Sequence, residues 1–85
     1  MNQNIKRVDK KWNMVTGGHD LWIWSTKGYL MMVVPIDFTY YAQEWNMRHK
    51  MHIVDTVTAG DEVFDIWENA GCTLRNATPR KEVEA

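Results

Sequence analysis

The stretch DLWIWSTKGYLMMVV, Asp20 to Val34, constrains the fold of this chain more than any other. It reads as a β-hairpin, yet it is apolar at almost every position. A strand with one wet face alternates apolar and polar residues, because successive side chains point to opposite faces. This one does not alternate, so both of its faces ask for cover.

The chain has 85 residues. That is one domain at most, of a size that buries a little over half of its unfolded surface. Hydrophobic residues make up 45% and charged residues 25%, ordinary values for a folded chain, which exclude disorder throughout. A net charge of −1 gives no general pull toward nucleic acid or an anionic membrane. Cys72 is the sole cysteine, so an internal disulfide is excluded and a reducing, cytoplasmic setting fits best. The opening MNQNIKRVDKK is polar and basic with no apolar segment behind it. The longest apolar run, Tyr29 to Val34, is far too short to span a bilayer. No membrane contact is expected.

The local signals suggest the following organisation. Residues 1–10 form an N-terminal arm, or an edge strand. KWNMV, Lys11 to Val15, alternates, and Gly17-Gly18 suits a two-residue turn that needs positive φ at both positions. A strand from Asp20 to Ser25 follows, then a Thr26-Lys27-Gly28 loop with Gly28 left-handed, then a strand from Tyr29 to Val34 stopped by Pro35. Past it the period changes. Asp37 is placed to cap a helix, with Ile36 and Tyr41 as its hydrophobic staple. Phe38, Tyr41, Trp45, His49 and His52 recur at helical spacing, so a helix is expected over about residues 38–53. A strand over MHIVDTV is the second choice there.

Thr58 and Asp61 resemble a capping box opening a second helix, GDEVFDIWENAG, with Val63, Phe64, Trp67 and Ala70 on one face and Gly71 closing it. CTLRN extends as a last strand or lies as coil, and residues 76–85 read as a flexible polar tail. The expectation is a small α+β fold over residues 11–75, a three-stranded antiparallel β-meander followed by two helices packed on one face.

The turns assign the faces. A Gly17-Gly18 turn sets Met14 opposite Leu21 and Trp12 opposite Ile23, and the second loop sets Ile23 opposite Met31 and Leu21 opposite Val33. Opposed residues share a face. Trp12, Met14, Leu21, Ile23, Met31 and Val33 then lie under the helices. Lys11, Asn13, Trp22, Trp24, Leu30 and Met32 make the other face. A one-residue change in the second loop would exchange Leu30 and Met32 for Tyr29, Met31 and Val33.

Five Trp and six Met are many for this length. Trp offers large rigid area at low entropic cost and anchors interfaces, and Met fills irregular gaps. Two short helices cover one face of a three-stranded sheet and hardly both, so the Trp face is expected to dock a protein partner or a second copy of the chain. Trp22 and Trp24 would anchor the contact, with Lys11, Asn13 and Met32 around them.

Candidate chemistry is thin. His49, His52 and Asp55 follow each other at intervals of three, with Glu44 a turn earlier, but helical metal pairs use an interval of four and no second ligand cluster exists. No metal and no cofactor is expected. Cys72 follows a helix C-terminus in this reading, where the dipole disfavours a thiolate. Ser25, the only serine, lacks elbow glycines. TGGH lacks the lysine of a phosphate loop. Asp61 and Asp65 fall on an exposed helix face. An enzyme is not expected. Single-stranded nucleic acid is the alternative ligand, since sheet aromatics stack bases and Lys6, Arg7, Lys10 and Lys11 lead into the sheet. The acidic run from Asp61 to Glu68 and the net charge argue against it. The expected function is a small intracellular protein-binding module that occludes or modulates a larger macromolecule. Its character suits an inhibitor of the kind viruses, phages included, direct against host enzymes. A homodimeric structural protein is a further alternative.

Overall fold

Most of this chain prefers β structure, and Asn and Gly residues at the strand ends turn it back on itself. The computed structural model describes residues 4–80. It contains β1 (Ile5–Asn13), β2 (Gly18–Ser25), β3 (Leu30–Pro35), α1 (Ala42–Arg48), β4 (His52–Ala59), β5 (Glu62–Glu68) and β6 (Arg75–Pro79). The strands form two antiparallel sheets, β1-β2-β3 and β4-β5-β6. The expected meander with two helices is therefore incorrect. The second half of the chain is a second sheet, and α1 has only seven residues.

The physical reason lies in β5. It is central to its sheet and buried on both faces. Phe64, Asp65, Ile66 and Trp67 are all buried, at 7% exposure or less. A strand covered on both sides loses its alternation, and a short apolar run then looks the same in a strand as in a buried helix. The residue types should have weighed more, since Val63, Phe64, Ile66 and Trp67 are β-branched or aromatic. Gly60 supplies the positive φ (65°) of a two-residue Gly60-Asp61 turn between Ala59 and Glu62, where a capping box was expected.

The long helix over residues 38–53 also shrinks. Asp37 does not cap it. Its Oδ1 instead accepts the Thr39 N–H at 2.9 Å, a local turn that keeps this segment out of a helix. Ile36 forms a parallel bridge with Ala77 rather than a staple with Tyr41. Lys50, with φ of 55°, ends the helical segment, and MHIVDTV enters β4, the second choice above. Residues 5–10 of the expected arm make the first part of β1, and residues 76–79 of the expected tail lie in β6. Residues 81–85 of that tail are outside the described residues.

The two sheets pack face to face, which answers what covers one side of β2. Leu21, Ile23 and Val34 from the first sheet meet Val57, Ala59, Phe64, Ile66 and Ala77 from the second in a single apolar core. Ile5, Val8, Met32, Ile36 and Val54 close its margins. At one end Trp12, His19, Phe38 and Phe64 continue it as a chain of edge-to-face rings, with centroids 5.1 to 6.4 Å apart. Where β3 ends, Asp37 N–H donates to Ala77 O at 2.8 Å, and the Ile36 bridge fastens the first sheet to the edge of the second. Among the described residues no helix is long and apolar enough to cross a membrane.

The outer side of the second sheet is closed around Asp65 and Trp67, while Ile53, Thr58 and Val63 on the same side stay exposed. Trp67 donates its indole N–H to Thr78 Oγ1 at 2.9 Å. Asp65 accepts from Thr56 Oγ1 at 3.0 Å and pairs with Arg80 at 2.9 Å. Asn76, opposite Trp67 in the register, exchanges two hydrogen bonds with the buried Asn46 of α1. The helix is held on this face.

Candidate functional site

The outer face of β1-β2-β3 is different. The register pairs Arg7 with Trp24, Asp9 with Trp22 and Lys11 with Asp20 on one side of β2, and Val33 with Trp22 and Leu30 with Trp24 on the other. All of these share the face opposite Leu21 and Ile23. Trp22 and Trp24 lie side by side at its centre, half-buried, with ring centroids 6.2 Å apart.

Each indole is held from β1. The Lys11 Nζ sits 4.3 Å from the Trp22 ring centroid, and the Arg7 guanidinium 4.9 Å from that of Trp24. Asp9 Oδ2 accepts both the Trp24 indole N–H at 3.0 Å and the Arg7 Nε–H at 3.1 Å. Val33 and Leu30 are exposed beside the rings. The face carries two cations, Arg7 and Lys11, and two carboxylates, Asp9 and Asp20, around an apolar centre.

Four of the five residues singled out in the sequence come together here: Trp22, Trp24, Lys11 and Asn13. The β1 register is nevertheless four residues away from the expected one, since Val8 and not Trp12 faces Ile23. Asn13 is the cause. Its Oδ1 accepts the N–H groups of Val15 and Thr16, its carbonyl accepts that of Gly17, and the turn takes residues 14–17 with Gly17 left-handed (φ 72°). A shift by an even number keeps every side chain on its face. Asn13 itself is committed to this turn and, through Nδ2, to Asp20 at 2.9 Å.

Met32 goes elsewhere. It pairs with Ile23 and packs against the core. Gly28 is left-handed as expected (φ 91°), and Ser25 Oγ accepts the N–H groups of Lys27 and Tyr29 within the loop. An irregularity between Ile23 and Trp24 then shifts β3 by one residue, which brings Val33 onto the Trp face. Arg7, Asp9 and Val33 were missed. The alternation in RVDKKWN, with Arg7, Asp9, Lys11 and Asn13 at period two, is the signal that points to the first two.

The remaining chemistry-bearing residues are scattered. His49 stacks on Trp45 with ring centroids 3.8 Å apart, its Nδ1 2.8 Å from the Trp45 carbonyl, while His52 begins β4 opposite Glu68. Among the described residues no three His, Cys, Asp or Glu side chains gather as a metal site. Cys72 is exposed in the β5–β6 turn, not behind a helix, with its thiol donating to Glu68 Oε1 at 3.4 Å. That hydrogen bond and the Glu68 charge raise its pKa above the ordinary thiol value. Burial pushes the Glu68 pKa up, but hydrogen bonds from Arg75 and Cys72, with the nearby positive charge, leave it below the ordinary value.

No protein-family model, no curated protein and no solved structure matches this chain.

Proposed function

We propose that this protein is a small non-enzymatic binding module that docks a protein partner through the outer face of β1-β2-β3, with Trp22 and Trp24 as anchors. One observation carries the reading. The two indoles stand together on the outer face of β1-β2-β3, against which the helix does not pack, and Arg7, Lys11 and Asp9 already hold them in place. Anchors fixed before contact lose little freedom on binding, and an apolar centre ringed by polar groups is the usual anatomy of an interface. Charge favours protein over nucleic acid. The cations on this face are matched by Asp9 and Asp20, whereas a groove that follows a phosphate backbone carries an excess of positive charge. The same balance of signs suits a second copy docking by two-fold symmetry, which is the second reading.

The test uses Val33→Glu, which places a charge at an exposed position beside Trp22 without touching the core. Binding through this face means that a partner captured by the wild-type protein from host lysate is lost with the variant, while its circular dichroism and melting temperature stay unchanged. Capture that survives both Val33→Glu and Trp22→Ala rules this face out. Sedimentation at micromolar concentration separates the readings, because a dimer dissociated by Val33→Glu assigns the face to self-association.

A further inference from the structure

A second site includes neither Trp22 nor Trp24. Beyond β3, a cleft of about 420 Å³ opens between the Pro35–Thr39 segment and α1, walled by Pro35, Ile36, Tyr41 and Trp45 and bordered by Asp37 and Asn76. Tyr41 and Trp45 are four residues apart at the start of α1, joined by the Trp45 N–H to Tyr41 O hydrogen bond at 2.9 Å. That spacing puts both rings on one side of the helix. Both stay substantially exposed, at 63% and 43%. In so small a protein, two large rings left open around a cleft are unlike core residues.

The site is rigid on each side. Asp37 is fixed through its N–H to Ala77 O and through Oδ1 to the Thr39 N–H. Trp45 is backed by the stacked His49 ring, so one indole face is occupied within the chain. The amide of Asn76 is locked against Asn46 in both directions. Asp37 is then the one formal charge on the cleft wall. It forms no ion pair among the described residues, and no lysine or arginine lines the cleft.

A carboxylate beside two aromatic rings, on walls that are otherwise uncharged and mainly apolar, apart from the polar Thr39 and Asn76, is complementary to a cation with an apolar skin. The ring faces attract positive charge through their quadrupoles, and methyl groups suit the walls better than a fully hydrated ammonium does. A sugar would ask for several converging donors and acceptors, whereas this lining is mainly apolar and each amide group of Asn76 has already spent one hydrogen bond on Asn46. We propose that this cleft binds a methylated ammonium group, the trimethylated side chain of a lysine on a partner protein.

The experiment titrates the 85-residue protein, labelled with ¹⁵N, with Nα-acetyl-Nε-trimethyl-lysine methylamide. A parallel titration uses the uncharged isostere in which carbon replaces the quaternary nitrogen. The expected result is a saturable shift of the Trp45 indole and Asp37 amide signals with affinity on the order of millimolar, and binding of the isostere about tenfold weaker. Asp37→Asn keeps the Oδ1 acceptor for Thr39 and is expected to weaken the charged ligand alone. Equal binding of both ligands would reduce the cleft to an unselective apolar groove and overturn the proposal. So would shifts at Trp22 and Trp24 in place of Trp45, or no shift with either ligand. These outcomes leave the sheet-face reading untouched, since Val33→Glu tests that separately.

Discussion

Asn46 and Asn76 exchange two side-chain hydrogen bonds, Asn46 Nδ2 to Asn76 Oδ1 at 3.0 Å and Asn76 Nδ2 to Asn46 Oδ1 at 2.7 Å. Asn46 is fully buried, so its amide finds no water once Asn76 is gone. Asn76→Ala is expected to cost about 1–3 kcal/mol, the penalty of leaving the buried Asn46 amide unpaired. Urea denaturation at neutral pH measures it. A loss under a few tenths of a kcal/mol would mean that α1 is not fastened by this pair.

Phe64 sits at the junction of the two sheets with no exposure and meets Phe38 edge to face. Its truncation to alanine is expected to destabilise by about 3–5 kcal/mol, because neighbours from both sheets cannot close the void. In a protein of this size that is a large part of the total stability. Thermal unfolding read by near-ultraviolet circular dichroism provides the check.

Trp67 and Thr78 offer a cleaner substitution. Thr78→Val keeps the shape and removes the acceptor from the buried indole N–H. A destabilisation of about 1–3 kcal/mol is expected. Thr78→Ser, which restores the oxygen, should recover part of it, and a failure to do so would assign the loss to packing instead.

Glu68 links pH to stability. Its pKa is lower in the folded state than its ordinary value of 4.5, because the Arg75 and Cys72 hydrogen bonds and nearby positive charge outweigh the effect of burial. A depressed folded pKa adds stability above the unfolded pKa and loses it as pH falls through the folded one. The melting temperature of Glu68→Gln is therefore expected to lie below that of the wild type at pH 7, with the gap closing below about pH 4.5. A gap that is constant with pH would contradict this. The same variant removes the negative charge beside the Cys72 thiol, so alkylation by iodoacetamide at pH 8 should speed up.

The sequence disclosed relations within the first sheet better than it disclosed the fold. Lys11 and Asn13 were placed beside Trp22 and Trp24 although the expected register was wrong, because the error in β1 was even and side-chain direction repeats every two residues. The one-residue shift in β3 was not forgiven, and it moved Met32 to the core. The first error came from a turn in which the Asn13 side-chain oxygen accepts backbone N–H groups, and the second from a bulge between Ile23 and Trp24, beyond a loop that closes in the expected register. The second sheet was hidden for another reason. Covered on both sides, β5 shows no alternation, and the helical spacing of Phe38, Tyr41 and Trp45 belongs partly to a loop and partly to a helix of two turns. The cleft at Asp37 was out of reach, since it depends on β6 returning beside β3.

Each sheet is made from consecutive strands, so all of its ladders close over short stretches of chain. Short closures are entropically cheap and fast. Neither sheet needs a strand of the other to complete its ladders, so their docking is expected to be the late event in folding. The bridge from Ile36 to Ala77 spans the two halves and forms only when they have met. The amide of Asp37, which donates to Ala77 O, is thus a native reporter of that meeting. In pulse-labelling hydrogen exchange its protection should trail that of the β1–β2 and β4–β5 amides, timing the moment at which two small sheets become one protein.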